Sequence, residues 1–343
     1  MTSAIDAEAS EEFAIQPERT GETDIAGRDE NAIDMPHAVR RIANKPLCKS
    51  FSSGKQLMGM IMATGEKHRG AADWGSDFFG TLNDMPPEPV AGIGHVLEAM
   101  ATFPAYADAR QWLLRNLGIS KGSSVIEAGC GTGAALPDIV SMVGNQARIA
   151  GNDPTKAFVA SARARAEKLG ASNAQYEIGD IRSMAADNGA FDAAFCDKVL
   201  IHAGPAQAAV SEMARVVRCG GRVGALEWLP WFAISSSRPE FLDAFNAVFR
   251  KACFDYFVSL NLARHFHSAR LKDVRTQAFL AHTDNLESHP FWRAFIVQQM
   301  PMFIHAELID PPTAQAFIAD LEGLNAKGEF SASFIVHAAV GTK

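Results

Sequence analysis

Cysteine is scarce in this sequence, and nowhere is it paired by spacing. Cys48, Cys130, Cys196, Cys219 and Cys253 stand far apart with no C-x-x-C step, which argues against a disulfide framework and against a cysteine-held zinc, and fits a reducing cytoplasm. Long apolar runs are missing as well. The longest early one, Leu57 to Ala63 in "LMGMIMA", is far too short to span a bilayer. A surplus of positive charge is also absent: the net charge of −7 gives no general attraction to phosphate polymers, so nucleic acid is not an expected partner. The chain does not open with a basic segment followed by an apolar one, as a secretory signal would. Its first 34 residues instead hold ten acids against Arg19 and Arg28, with few large apolar side chains. Such a segment cannot offset its ordering entropy and is expected to be an acidic, disordered tail.

What is present is enough apolar material for a large core, 48% of 343 residues, and an ordered alternation of patterns. "SSVIEAG", "ARIAGND", "AQYEIGD", "FDAAFCD" and "GRVGALEWL" read as five strands. Helical spacing separates them, in "AALPDIVSMVG", where Pro137 falls in the first turn, and in "KAFVASARARAEKLG", which Thr155 is placed to cap and Gly170 to end. That order predicts a parallel sheet covered by helices. Beyond Trp228 a helix is expected around Glu240 to Phe257, a strand at "LKDVRTQAFL", a helical insertion over about 286–325 and a final strand at "SASFIVHAAVG". Residues 35–105 are expected to form a helical N-terminal region that packs over the sheet's carboxyl edge as a lid or makes an oligomer contact, as in a homodimer. Residues 106–343 hold the sheet.

The stretch Gly129-Cys130-Gly131-Thr132-Gly133-Ala134 satisfies G-x-G-x-G and, through Ala134, the looser dinucleotide pattern. Glu127, just before it, separates the two readings. A carboxylate there repels a diphosphate and attracts a cation. S-adenosylmethionine carries a sulfonium and an ammonium against one carboxylate, so the balance favours it. Asp153 ends the second strand where a ribose diol would donate to it. After the third strand Asp180 can accept from an exocyclic amine, beside Ile181 to cover an adenine face.

"VIEAGCGTG", "GND", "GDI", "FDAAFCDKVLIH" and "MARVVRCGGRVGALE" together resemble the class I S-adenosylmethionine-dependent methyltransferases, in particular the small-molecule branch related to ubiquinone and menaquinone biosynthesis methyltransferases. The resemblance covers roughly residue 106 to the end. It departs at Cys219, where the family usually has Pro in the turn before the fifth strand. It implies an α/β fold, a Rossmann-like seven-stranded, mostly parallel sheet with helices on both faces, and a cofactor at the switch point between the first and fourth strands. By this resemblance Gly129, Gly131 and Gly133, following Glu127 and Ala128, would let backbone approach the methionine moiety. Glu127 would lie near the ammonium, Asp153 at the ribose, Asp180 and Ile181 at the adenine. Asp197 and Lys198 would face the transferable methyl, and Arg110 could pair with the cofactor carboxylate.

Methyl transfer is an in-line displacement at an activated carbon, so alignment and exclusion of water are the protein's main tasks. A base is needed only when the acceptor must lose a proton. His202 is the candidate, with a structural loop histidine as the alternative. Trp228 and Trp231 in "EWLPWF" are candidates for an apolar acceptor wall, the alternative being a packed seam. His265 and His267 lack a carboxylate cluster at suitable spacing, so no metal is expected. "SFSSGKQ" fails as a phosphate loop, since Lys49 stands at the first glycine position and Gln56 replaces Ser or Thr. The position after the fourth strand, "CDKV", lacks the two prolines and aromatic of base-amino methyltransferases. The expectation is a cytoplasmic enzyme that methylates a small molecule. A nicotinamide-dependent NAD(P) oxidoreductase and a non-catalytic cofactor-binding regulator are the alternatives.

Overall fold

Val125–Ala128, buried at all four positions, forms β1, an apolar strand of the kind a sheet covered on both faces requires. The computed structural model describes residues 79–343 apart from residues 81, 298–299, 301–303 and 305–309. The expected acidic tail, "SFSSGKQ", "LMGMIMA" and the first part of the helical N-terminal region lie outside the described residues. β1 is followed by β2 (Ile149–Asp153), β3 (Ala174–Ile178), β4 (Phe191–Asp197), β5 (Val217–Ile234), β6 (Lys272–Thr283) and β7 (Ala332–Thr342). They make one seven-stranded sheet in the order β3-β2-β1-β4-β5-β7-β6. Strands β1 to β5 pair in parallel, and β7 runs antiparallel between β5 and β6. The order reverses between β1 and β4. In an open α/β sheet that is where a crevice opens beyond the strands' carboxyl ends.

Helices lie on both faces. A short 3-10 turn at Leu82–Asp84 leads into α1 (Pro87–Thr102) and α2 (Pro104–Asn116); α3 (Leu136–Val143), α4 (Lys156–Lys168) and α5 (Ala206–Val216) cross between strands. A Cβ at Gly224 of β5 would meet Leu113 of α2 at 2.7 Å, so α2 lies directly on that face. Gly341 of β7 pairs with the neighbouring Val223 and therefore points the other way. There a Cβ would meet Phe266 at 3.2 Å, on α7 (Val258–Ser268).

Several elements differ from the sequence reading. β5 starts four residues early, and the expected turn Cys219–Gly221 is an irregularity inside it: Phe191 pairs with Val217 but Ala193 with Arg222. It also runs on through Pro230, because its pairing with β7 skips from Leu229 to Ala233 and proline needs no ladder partner in such a gap. The helix expected over 240–257 stops at Ala252 as α6 (Pro239–Ala252), and α7 follows it. His265 lies on α7, where Nδ1 contacts Gln207 Oε1 at 3.1 Å. The insertion before β7 holds α8 (Pro290–Ile296) and α9 (Pro311–Lys327). Thr155 stands at the N-cap of α4, but its hydroxyl donates to Phe79 O at 2.8 Å, and Asn83 Oδ1 accepts the free Lys156 N–H at 2.8 Å instead.

Candidate functional site

The glycine loop turns β1 into α3 under two separate constraints. Gly129 and Gly133 have φ of +75° and +74°, open to glycine at little cost. A side chain at either would also collide with the protein: a Cβ at Gly129 would lie 2.6 Å from Val199 Cγ2, and one at Gly133 3.0 Å from Ala162 Cα. The close approach at these two positions is thus to the protein's own Val199 and Ala162. Asn152 O accepts from Gly129 N and Cys130 N, both at 2.9 Å, and Asp153 Oδ2 accepts from Gly131 N at 3.0 Å. The loop is tied to the end of β2 at three consecutive amides.

Four strand-end acids expected from the sequence border one cavity: Glu127, Asp153, Asp180 and Asp197. Gly129, Gly131, Ile181 and Arg110 border it too. Ala128 and Gly133 do not; Ala128 is fully buried in the core. Glu127 is 3% exposed, and its Oε2 has no hydrogen-bond partner. Burial pushes its carboxyl up to about 8, with Asp197 adding to the rise while Arg110 and Lys198 oppose it. Asp153 is also raised by burial, against the amides of Thr155 and Gly131 that it accepts. Two of its lone-pair sites are thereby used and the remainder are free for a ligand.

Asp180 carries a partner that the sequence reading missed. Arg182, two residues on, grips its carboxylate with Nε at 2.9 Å and Nη2 at 2.5 Å, and also donates from Nη1 to Gly204 O at 2.5 Å. The loop after β3 is so joined to the loop after β4, and the pairing holds Asp180 below the usual carboxylate range in spite of its partial desolvation.

Asp197 and Arg110 form the charged floor. Asp197 accepts from Arg110 Nη1 at 3.2 Å and from the Lys198 ammonium. Arg110 is 5% exposed and donates further to Asp138 at 2.7 Å and to Ala101 O at 2.8 Å. Arg110 is therefore a buried cation that donates from all three guanidinium nitrogens and keeps further N–H groups in hand. Burial would raise Asp197; the two cations outweigh it and hold the carboxyl below its ordinary value. The Lys198 ammonium also sits 4.7 Å over the Tyr106 ring.

The remaining wall is apolar. Phe79, Leu97, Ala101, Val199 and Ala203 border the cavity together with His202. His202 meets Phe79 edge-on with ring centroids 5.2 Å apart. Burial alone lowers its pKa to about 4, so its ring is neutral at physiological pH. Trp228 and Trp231, the expected acceptor wall, do not border the cavity. Trp228 is buried in an aromatic cluster, 5.5 Å from Phe295 and 5.9 Å from Phe232, because its side chain faces the layer under α8. Trp231 lies in the β5 irregularity and is 49% exposed. The packed seam was the better reading of the former.

Residues 79–102 reach the cavity from outside the glycine-loop region, and polar contacts fasten them. Glu98 Oε1 accepts from Thr132 Oγ1 at 2.5 Å and Arg165 Nη2 at 2.6 Å, while Asn83 Nδ2 donates to Pro154 O at 2.9 Å. Glu98 follows the apolar Leu97 in α1, and nothing in the sequence marks it beyond that.

The family described as methyltransferase domain matches residues 125–221. Among curated relatives, a 37.1 kDa uncharacterized protein from a Streptomyces fradiae transposon is 36% identical over 135 residues, 38% of each chain. A sterol 24-C-methyltransferase of Gibberella zeae is 33% identical over 126 residues, 36% of this chain and 33% of that one. The chain thus spans well under half the length of these relatives. Among solved structures, the YcgJ protein of Bacillus subtilis (TM-score 0.48, 17% identity) is covered over 98% of its length and 69% of this chain. Geranyl diphosphate C-methyltransferase of Streptomyces coelicolor (TM-score 0.41, 17% identity) is covered over 76%, again with 69% of this chain. The matched segment supplies all four cavity carboxyls and His202. Arg110, Leu97, Ala101 and Phe79 reach the cavity from before it. Among the described residues no group of three or more His, Cys, Asp or Glu side chains is placed to hold a metal ion, and no helix is long and apolar enough to cross a membrane.

Proposed function

We propose that this protein is an S-adenosylmethionine-dependent methyltransferase that acts on an uncharged, largely apolar small molecule and releases S-adenosylhomocysteine. The observation that carries the reading is Glu127: a buried carboxyl oxygen without a partner at the end of β1, in a cavity that also holds Asp153, Asp180 and Asp197. Glu127, which an arriving ammonium can ionise, and the open lone pairs of Asp153 and Asp180 favour a ligand with a cationic end and hydroxyl and amine donors over a diphosphate. Glu127 would receive the ammonium, Asp153 the ribose hydroxyls, and Asp180 with Ile181 the adenine. Arg110 has N–H groups beyond those used by Asp138, Asp197 and Ala101, and one of these can meet the carboxylate.

The bound cofactor supplies a methyl group already activated on sulfur. The chain's part is to place the acceptor in line and keep water out. Phe79, Leu97, Ala101, Val199 and Ala203 offer no charge, so they favour an acceptor without one; a sterol, named for the fungal relatives, has that character. Neutral His202 is the candidate to take a proton from the acceptor, although the burial that keeps it neutral makes it a weak base. Residues 79–102 act as the lid, held by Glu98 and Asn83. The cytoplasm is the proposed compartment, since Cys130, Cys196, Cys219 and Cys253 are all free.

Calorimetric titration with S-adenosylhomocysteine and with NADH separates this reading from an oxidoreductase. Binding of the first alone is expected; binding of NADH alone would overturn it. Methyl-labelled cofactor with a fractionated lipid extract should then yield a labelled apolar product. Binding without any label transfer would instead favour a regulatory protein.

A further inference from the structure

Glu227 is 0% exposed in β5 and does not border the cavity. Its Oε1 nevertheless accepts two consecutive amides, Val199 N at 2.8 Å and Leu200 N at 2.7 Å. The chain leaves β4 through Lys198, whose φ of 63° bends it sharply and whose N–H goes to Leu226 O at 2.7 Å. After that bend the next two N–H groups point into the protein with no strand to receive them, and Glu227 is what they reach. The carbonyl of Val199 in turn accepts from His202 N at 2.9 Å and Ala203 N at 3.0 Å. The first part of the Val199–Ala203 turn is thus held by one carboxyl oxygen of Glu227, while Ile201 O, accepting from Phe254 N at 3.0 Å and Asp255 N at 3.3 Å, ties its middle to the chain ahead of α7.

Two walls depend on where this turn sits. The Val199 side chain occupies the space that a Cβ at Gly129 would need, so it bears directly on the cofactor loop. His202 and Ala203, one turn further, border the apolar end of the cavity. Burying a carboxylate is costly, and burial does push Glu227 up to about 8, but leaving two adjacent amides unmet would cost more than a single lost bond.

We propose that Glu227 is a positioning residue of the site: from β5, outside the cavity, it sets the Val199–Ala203 turn that braces the glycine loop on one side and forms the acceptor wall on the other. The role assigned to each wall rests on the function proposed above; the placement of the turn does not.

The experiment compares Glu227→Gln, which keeps an acceptor oxygen, with Glu227→Met, which has similar length and none. Amide hydrogen exchange is read by mass spectrometry on peptides covering 198–204, 125–134 and 222–229 of the full chain. Exchange over 198–204 should quicken about tenfold or more in the Met variant, the scale of one to two lost amide bonds, and stay within about threefold of the parent in the Gln variant. S-adenosylhomocysteine affinity should fall in the Met variant and recover in the Gln variant. Unchanged protection over 198–204 in the Met variant would overturn the proposal. So would equal loss in both variants, or loss spread evenly over all three peptides, since the carboxylate would then support the core at large. If the parent chain itself binds no S-adenosylhomocysteine, the proposed function fails while the exchange result still decides the role of Glu227.

Discussion

At the scale of single residues, the charge that favours a cation is not standing in the free protein. Glu127 lies in a site that raises its carboxyl to about 8, so near neutrality it is mostly protonated until a cation arrives. An ammonium placed against it favours the charged form and drives the proton off. Binding of S-adenosylhomocysteine, which carries that ammonium, is therefore expected to release protons between about pH 6 and 8 and to tighten as pH rises. Titrations in two buffers of different ionisation enthalpy measure this. Glu127→Gln should remove the release and weaken binding roughly 10- to 100-fold, the scale of a lost charge-assisted bond. Equal apparent enthalpies in both buffers would show that Glu127 does not meet the ammonium. The residue type at this position was legible in the sequence. Its protonation state was not, because that is set by burial and by Asp197, which comes to it from another strand.

At the scale of elements, the glycine loop shows how one pattern serves packing and binding together. Gly129→Ala must place a Cβ against Val199 at 2.6 Å in a left-handed conformation, whereas at Gly131, with φ of +51°, the nearest atom is Leu97 Cδ1 at 3.6 Å. Gly129→Ala is accordingly expected to destabilise by about 3 kcal/mol, strain and clash together, and Gly131→Ala by only about 1 kcal/mol, the conformational strain. Urea unfolding of both variants checks the order; a Gly131→Ala loss as large as that of Gly129→Ala would refute it. Strands β1, β2, β3 and β4 were readable within a few residues, since each short strand-like stretch is closed by an acid or glycine at its carboxyl end. β5 was not: its Gly220-Gly221 pair and Pro230 read as breaks, and only pairing with β4 and β7 carries the strand across both irregularities. α7 was not read as a helix either: His265 and His267 were set aside as metal ligands, and only the structure places them on a helix, with His265 packed against Gln207.

At the scale of the whole molecule, two buried acids make stability fall as pH rises. Glu127 and Glu227 are each raised from 4.5 to about 8, so the folded chain holds protons that the unfolded chain has released. Their contribution is fully present below about pH 4.5 and is lost as pH climbs through about 8. Asp180, Asp192, Asp197 and Glu212 are lowered instead; what they contribute is lost only in acid, below the ordinary carboxylate range. Burial lowers His202, His265, His289 and His337, which works the other way below about pH 6.5, so the melting temperature is expected to decline between about pH 6.5 and pH 8, with a shallower slope in Glu127→Gln. A melting temperature that rises over this range would contradict the assigned burial. The sequence by itself determined the layered parallel sheet, the strand-end positions of Glu127, Asp153, Asp180 and Asp197, and their chemical kind, because period, turn residues and charge are local properties. The tertiary structure alone decided that Arg182 would grip Asp180, that Arg110 would be a buried floor, that Trp228 would turn into the core and that Glu227 would hold a turn on another strand. Each of these is a contact between segments distant in the chain or a choice of face, and both are fixed only when the sheet closes its register.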